Sequence, residues 1–475
     1  MKKNYVNKLS RQLCLAMLLV FSVSALGQRP FSSIHTGVNA ADAKIIEQGV
    51  KTFATDNKVS GTRSNGFDDG NTDHGDSWFG YEYYRYTYPS INIKGEPVTL
   101  TALAAMPSKK DKLINNIILG CHITITDNAS TPSEYIKTGS IKSDVGMLTM
   151  HAQSKSNNLA YNCLVILPDY QGYGNTRNEA HPYLAQEITA RQSVDALRYG
   201  IELYKASQKH TAQIRDDWKT ICVGYSQGGS AAMACQKFME TNSLDKDLHL
   251  GGSVCGDGPY DPFATLRTYI SQNKVYMPVA LALIFKGMID YNPYMHRYAL
   301  TDYFSERFLN TGIFKWIEEK KLGTDKIQDE LKKTFTFEKD KRGEYIKVSD
   351  VLTPEAFDFL SKKVKGEPTA KAPKFDDLLK AVTINDLTEG WKPQYPIYLF
   401  HSKTDEVVPV ENAESVYQKL RTDTTPNIIK YTYVSKGGHA SNGSTFFFAF
   451  FGSSYEELGV RAIAGGEETW NNFKP

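Results

Sequence analysis

Gly224-Tyr225-Ser226-Gln227-Gly228 constrains this chain more than any other stretch. It stands between Lys219-Thr220-Ile221-Cys222-Val223, which reads as a short buried strand, and Ser230-Ala231-Ala232-Met233-Ala234-Cys235-Gln236-Lys237-Phe238, which reads as a helix of mostly small residues. A bare Gly-x-Ser-x-Gly is a weak signal, because Gly and Ser favour turns anyway. Set between a strand and a helix, it predicts a nucleophile elbow. Glycines at 224 and 228 let the two backbones approach each other, and the tight turn lifts the Ser226 hydroxyl above the sheet.

A serine hydroxyl is a poor nucleophile at neutral pH and needs a histidine to take its proton and a carboxylate to orient that histidine. In chains built around such an elbow the order is serine, acid, histidine. Of ten histidines, His249, His296, His401 and His439 follow Ser226. His439 lies in Ser435-Lys436-Gly437-Gly438-His439-Ala440, directly after the strand-like Ile428–Val434, where a catalytic base belongs. His401 precedes any acid on its own strand's loop, His249 sits in a surface-type stretch and His296 in a helical region. For the acid, the apolar strand Pro396–Phe400 runs into His401-Ser402-Lys403-Thr404-Asp405-Glu406-Val407-Val408-Pro409. Asp405 is the candidate, with Glu406 as its close rival. Asp257, in Cys255-Gly256-Asp257-Gly258-Pro259, is a second rival that reads more simply as a turn residue.

The spacing of Ser226, Asp405 and His439, with a large insertion between the first two, resembles the secretory lipase family of α/β-hydrolases, the lipase A type. Three further stretches share the likeness: Tyr84-Arg85-Tyr86 with Asn92–Ala102, Pro168–Gly174, and His181-Pro182-Tyr183-Leu184. The resemblance covers roughly residues 80–460, and only the elbow and the two loop motifs are specific. It implies a carboxylic-ester hydrolase working through an acyl-enzyme, without a cofactor. The residues themselves leave ester against peptide bonds open, as they do a short-chain esterase acting on acylated glycans or a fold kept for binding alone. The oxyanion would be held by two backbone N–H groups. Gln227, which follows the nucleophile and opens a helix, supplies the first. Related hydrolases carry His-Gly after the third strand; here Gly120-Cys121-His122-Ile123-Thr124 lacks that glycine, so the second falls to Ile123 or Thr124, with alignment on His122 favouring Thr124. His122 itself reads as loop packing.

Lys2, Lys3, Lys8 and Arg11 precede the apolar run Leu13 to Val23 and the exit Ala25-Leu26-Gly27-Gln28. This predicts a signal peptide over residues 1–27, because the run is too short to span a bilayer, and hence a secreted or periplasmic protein with no stable membrane insertion. Removing its four basic residues from the 55 basic and 53 acidic ones leaves 51 against 53. Such a balance argues against a nucleic-acid partner and leaves a small-molecule ester as the expected one. Cys121, Cys163, Cys222, Cys235 and Cys255 remain; their odd number and strand positions predict mostly buried thiols, not a disulfide framework or a metal site.

Strand signals near 81–88, 97–106, 115–121, 163–168, 219–224, 250–255, 395–400 and 428–434 alternate with helical stretches, notably Ala185 to Ser207 and Ala413 to Leu420. The expected class is α/β, an α/β-hydrolase with one doubly wound, mostly parallel sheet. The core spans 81–259 and 391–475. Residues 28–80 form an N-terminal extension, and 260–390 form a helical cap inserted between the sixth and seventh strands. Within the cap, Met277–Phe285 is apolar on every side of a helix, so it either lines a hydrophobic substrate pocket or is buried in the cap. Glu318-Glu319-Lys320-Lys321 and Glu338–Arg342 read as the cap's outer surface. The acidic run Asp68–Asp76 starts like a calcium loop but has His74 where a glycine is needed and Gly80 where a glutamate is needed, so it reads as a solvated turn.

Overall fold

Alternation is plain in the first long strand: Tyr84, Tyr86 and Tyr88 are buried, while Arg85 and Thr87 between them are half-exposed. This is the period-2 pattern of a strand with one face on the core. The computed structural model describes residues 59–60, 81–107, 113–134, 145, 148, 163–206, 213–421, 428–434 and 437–451. The signal segment 1–27, the acidic loop Asp68–Asp76 and all of the extension 28–80 except Val59–Ser60 lie outside the described residues.

Nine strands form the main sheet: β1 (Val59–Ser60), β2 (Tyr81–Ile91), β3 (Pro97–Pro107), β4 (Ile114–Cys121), β5 (Cys163–Pro168), β6 (Ile214–Tyr225), β7 (Leu250–Gly256), β10 (Ile397–Ser402) and β11 (Ile428–Tyr433). Their order is β1-β2-β3-β5-β4-β6-β7-β10-β11. From β5 to β11 every pairing is parallel, while β1, β2 and β3 run antiparallel at one edge. Every residue of β5 and β7 is buried, as expected of parallel strands covered on both faces. Helices α1 (Gln186–Ala206), α2 (Gln227–Thr241) and α11 (Glu411–Leu420) pack on this sheet, the Tyr86 hydroxyl donating to the Ala196 carbonyl of α1 at 2.6 Å. All five described cysteines are buried free thiols.

Residues from 266 to 382, with Tyr183 and Leu184, pack in a second hydrophobic cluster. It is built from α3 (Pro262–Gln272), α4 (Pro278–Tyr291), α5 (Glu306–Leu309), α6 (Ile313–Glu319), α7 (Thr324–Leu331), α8 (Val348–Val351), α9 (Pro354–Lys365) and α10 (Pro373–Thr383). Local signals set the ends. Asp261 caps α3 through the Ala264 amide with Pro262 in the first turn, and Thr353 caps α9, which ends at Gly366 in the left-handed region. The block is not purely helical: β8 (Glu338–Asp340) and β9 (Gly343–Tyr345) make a hairpin whose Asp340 accepts hydrogen bonds from Lys274 and Tyr276. Lys320 also departs from the surface reading. It is 7 % exposed, and its ammonium donates to the Arg177 and Glu179 carbonyls of the core while its own carbonyl accepts from Asn128. The long stem is buried, and its charge is met by these carbonyl oxygens, by the Tyr173 ring 5.6 Å away and by the nearby Glu179, Glu318 and Asp290. Among the described residues no helix is long and apolar enough to cross a membrane.

Candidate active site

Ser226 sits between β6 and α2 at φ 58° and ψ −125°, a left-handed conformation that a non-glycine residue holds only when its surroundings enforce it. Here they do. Its amide donates to the Gly256 carbonyl of β7 at 2.8 Å, and α2 lies so close to β4 that a Cβ on Gly228 would stand 2.0 Å from the Cys121 carbonyl oxygen. The Ser226 side chain makes no capping bond to its own helix, which leaves the hydroxyl free to turn to a partner.

That partner is His439, the first residue of α12 (His439–Phe451), whose Nε2 lies 2.7 Å from Ser226 Oγ. The imidazole's other nitrogen, Nδ1, lies 2.6 Å from Asp405 Oδ2. A carboxylate only accepts, so Nδ1 carries the proton and Nε2 is free to accept from the serine. The second oxygen of Asp405 accepts from the amides of Val407 and Val408 at 2.9 and 2.7 Å, which fixes the carboxylate in its loop. Ser226, Asp405 and His439 are 9, 4 and 7 % exposed, so the relay is shielded from solvent. Burial pulls the His439 imidazole down, but the Asp405 charge and hydrogen bond, with Glu406 behind them, outweigh it and hold it above the ordinary histidine value. Burial likewise works against the Asp405 charge, and His439 more than offsets it, keeping Asp405 below the usual carboxylate range.

The rivals occupy other posts. Glu406 points both oxygens at the main-chain amide of His439, 3.0 Å from each, and so caps α12 rather than facing the ring. Asp257 stands at the bend that ends β7, as a turn residue would, but its side chain is buried. Its Oδ1 accepts from the Ser402 amide at 2.9 Å and its Oδ2 lies 2.9 Å from the Tyr225 hydroxyl, which in turn donates to the His439 carbonyl at 2.6 Å. His401 is also buried; its Nε2 donates to the Val408 carbonyl at 2.9 Å, and burial, only partly opposed by Asp405, lowers its affinity for a second proton. Asp257, His401 and Asp405 bring polar side-chain atoms within 4.8 Å of one another. His249 stacks on Trp218, and His296 lies in the short helical turn Pro293–Arg297.

On the oxyanion side, Gln227 opens α2, so its amide belongs to the N-terminal turn whose dipole favours negative charge. Its side chain is pinned: Gln227 Nε2 lies 3.0 Å from His181 Nε2, and His181 Nδ1 lies 2.8 Å from the Gln171 carbonyl. Burial drives His181 down to about 3, so it is neutral, donating through Nδ1 and accepting through Nε2. In the sequence His181 stands in a family-like stretch, His181-Pro182-Tyr183-Leu184, with no role attached to it. Thr124 lies in the loop after β4, its hydroxyl 2.7 Å from that of Tyr183. His122 is buried, stacks on Tyr170 at 4.0 Å and lies 3.1 Å from the Asp169 carbonyl through Nε2, which makes it a packing residue of this loop.

Two cavities lie between residues 260–390 and the sheet-bearing part of the chain. An apolar void of about 50 Å³ is lined by Leu184, Pro259, Leu281, Ile284, Phe285 and Met288 among others. A second, of about 240 Å³ and mixed lining, is bounded by Thr126, Tyr173, His181, Leu283, Lys286 and Lys320 with their neighbours. Of α4, Val279, Ala282 and Leu283 are buried in the second hydrophobic cluster, and Leu281, Ile284, Phe285 and Met288 face a void. On the cap's inner side, the Tyr269 hydroxyl donates to the Val407 carbonyl at 2.6 Å and ties α3 to the Asp405 loop.

Comparison with known proteins agrees with this architecture. The fold is similar to that of the rice cell wall degrading esterase LipA from Xanthomonas oryzae, at 20 % identity and a TM-score of 0.61 over 80 % of this chain and 90 % of that one. A Legionella pneumophila protein is similar at 19 % identity and a TM-score of 0.62, over 84 % and 91 %. Candida antarctica lipase A in its closed state is similar at 16 % identity and a TM-score of 0.53, over 76 % and 73 %. At these identities the likeness is one of fold. No curated protein matches the sequence. The family model for secretory lipases matches residues 146–445, well over half of the 475 residues, and the chain therefore belongs to the secretory lipase family, carboxylic-ester hydrolases of the α/β-hydrolase fold.

Proposed function

We propose that this protein is a secreted lipase or esterase in which Ser226, His439 and Asp405 form the catalytic triad. The observation that carries the reading is the unbroken relay from Ser226 Oγ to His439 Nε2 at 2.7 Å and from His439 Nδ1 to Asp405 Oδ2 at 2.6 Å. Ser226 Oγ attacks the ester carbonyl carbon while its proton passes to His439 Nε2. The oxygen of the tetrahedral intermediate is held by the Gln227 and Thr124 amides. The alcohol leaves with the proton from His439, and water, deprotonated by the same nitrogen, releases the acid from the acyl-enzyme. Asp405 stays ionised and steadies the imidazolium formed on the way. The apolar void under α4 takes the start of the acyl chain, in keeping with its hydrocarbon lining.

In the same reading, residues 1–27 are a cleaved signal peptide, 28–80 an extension, and 260–390 a cap over the two-part core of 81–259 and 391–475. Covalent labelling tests the function. A fluorophosphonate should modify the wild-type protein at Ser226, and Ser226→Ala should abolish both labelling and p-nitrophenyl ester turnover with unfolding unchanged. Labelling at another serine would move the nucleophile elsewhere.

A further inference from the structure

Asp257 has no part in the relay, yet hydrogen bonds connect it to both ends of the His439–Asp405 pair. It ends β7 at φ 36°, a left-handed value for a non-glycine residue, with its amide donating to the Phe400 carbonyl of β10 at 3.0 Å. Proton counting fixes its state. The Tyr225 hydroxyl has one proton, and the His439 carbonyl 2.6 Å away can only accept it. The 2.9 Å approach of Asp257 Oδ2 to the same hydroxyl oxygen then needs a proton from Asp257. With that proton in place the contacts to Ser402, Tyr225 and His439 are matched, and the hydrogen bond between the Asp257 and Asp405 carboxyls likewise needs a proton on one of the two. A second carboxylate charge beside Asp405, both fully buried, is thereby avoided.

We propose that Asp257 is a positioning residue of this active site, a neutral carboxylic acid that holds the His439 backbone through Tyr225 and the root of the Asp405 loop through Ser402 without adding a charge. The inference rests on the triad reading above. Burial, followed by the Asp405 charge, pushes the Asp257 carboxyl well above the usual carboxylate range, in the same sense as the proton count. The ionisable groups against it are Asp405 from the acid loop, His401 from β10, Tyr225 from β6 and Tyr260 beyond β7; Asp405 in turn faces His439 from α12, Glu406 and Tyr269 from α3.

Asparagine is the isostere of a neutral acid: its carbonyl accepts from Ser402 and its NH₂ donates to Tyr225. Asp257→Asn should therefore keep kcat/KM within about threefold of wild type on p-nitrophenyl butyrate and leave the acid limb of the pH–rate profile in place. Were Asp257 ionised, losing its charge would lower that limb by about one pH unit or more. Asp257→Ala should lower kcat by roughly 10- to 100-fold with KM nearly unchanged, the scale of a small misplacement of reacting groups. Should the alanine variant not fold, Tyr225→Phe cuts the same link and should show the same split between kcat and KM. Wild-type turnover in the variants that cut the link, or an asparagine variant as damaged as alanine or with a displaced acid limb, overturns the proposal. Fluorophosphonate labelling of wild type at Ser226 keeps these outcomes apart from a failure of the triad itself, in which Ser226 is not labelled.

Discussion

Asp405→Asn is the perturbation whose consequence can be worked through atom by atom. Asp405 Oδ1 accepts two main-chain amides, from Val407 at 2.9 Å and Val408 at 2.7 Å, and an NH₂ group cannot take that place. The asparagine must therefore keep its carbonyl oxygen there and turn its NH₂ toward His439 Nδ1, where Oδ2 now stands at 2.6 Å. Facing a donor, Nδ1 has to accept, and the ring proton moves to Nε2. That nitrogen is the one 2.7 Å from Ser226 Oγ, and once protonated it cannot take the serine proton. The fold survives and the base has the wrong tautomer, an effect worth on the order of 10⁴ in kcat in serine hydrolases, about 5.5 kcal/mol. Glu406→Gln is the control one residue away. Its amide oxygen still accepts from the His439 main chain, so kcat/KM should fall by less than about tenfold. The pH profile adds a sign. His439 must be neutral to act, and its proton affinity is raised, so activity is lost as pH falls through a value above that of ordinary histidine. Removing the Glu406 charge should move that limb to lower pH. The assay is kcat/KM for p-nitrophenyl butyrate across pH, with thermal unfolding as the check on integrity. An Asp405→Asn enzyme within tenfold of wild type, or a Glu406→Gln enzyme just as impaired, would refute the assignment of the acid.

Two further outcomes test the pocket and the buried acid under the core loops. Ile284→Asp places a carboxylate in the apolar void; since each methylene buried there gains about 0.8 kcal/mol, the octanoate-to-acetate ratio of kcat/KM should fall at least about tenfold while acetate turnover is nearly kept, and equal loss on both esters would show that the void holds no acyl chain. Asp169 accepts two hydrogen bonds from Ser133, yet burial raises its carboxyl from 3.8 to about 7, so its contribution to stability is full below pH 4 and is lost as pH rises toward 7. Asp169→Asn should abolish that decline, gaining up to about 4 kcal/mol over wild type at pH 8 and little at pH 4 in denaturant unfolding, and a pH-independent difference would contradict the account.

The parts of this molecule legible from the sequence are those whose signal is local. Ser226 could be read because its strand, turn and helix adjoin within some twenty residues. The parallel strands could be read because burial on both faces leaves continuous apolar runs such as Cys163–Pro168. The alternating tyrosines of β2 carry the period-2 signal of the strand expected at 81–88. Even the apolar α4 announced that it would be covered on all sides, although the pattern left open whether protein or substrate would cover the last face. The β8–β9 hairpin was missed because strands of three residues, Glu338-Lys339-Asp340 and Gly343-Glu344-Tyr345, are too short to carry either period.

The site is different, because its supporting contacts come from strand register. Phe400 pairs with Gly256 across β10 and β7, which sets the next residues, His401, Ser402 and Asp257, side by side at the C-terminal edge of the sheet. From there Asp257 reaches Ser402 across 145 positions of sequence and Tyr225 across 32. Nothing local in Cys255–Pro259 distinguishes a solvated turn from a buried acid; only the strand that closes beside it does. Lys320 follows the same rule, since the charged run around it looks like surface until the core carbonyls of Arg177 and Glu179 are folded against it. A motif can thus name a candidate nucleophile, whereas the groups placed to hold its proposed base in line are chosen by which strand ends come to lie together. Those groups are the polar residues at the C-terminal edge of the parallel strands whose burial has no local cause, and Asp257 is the first of them to test.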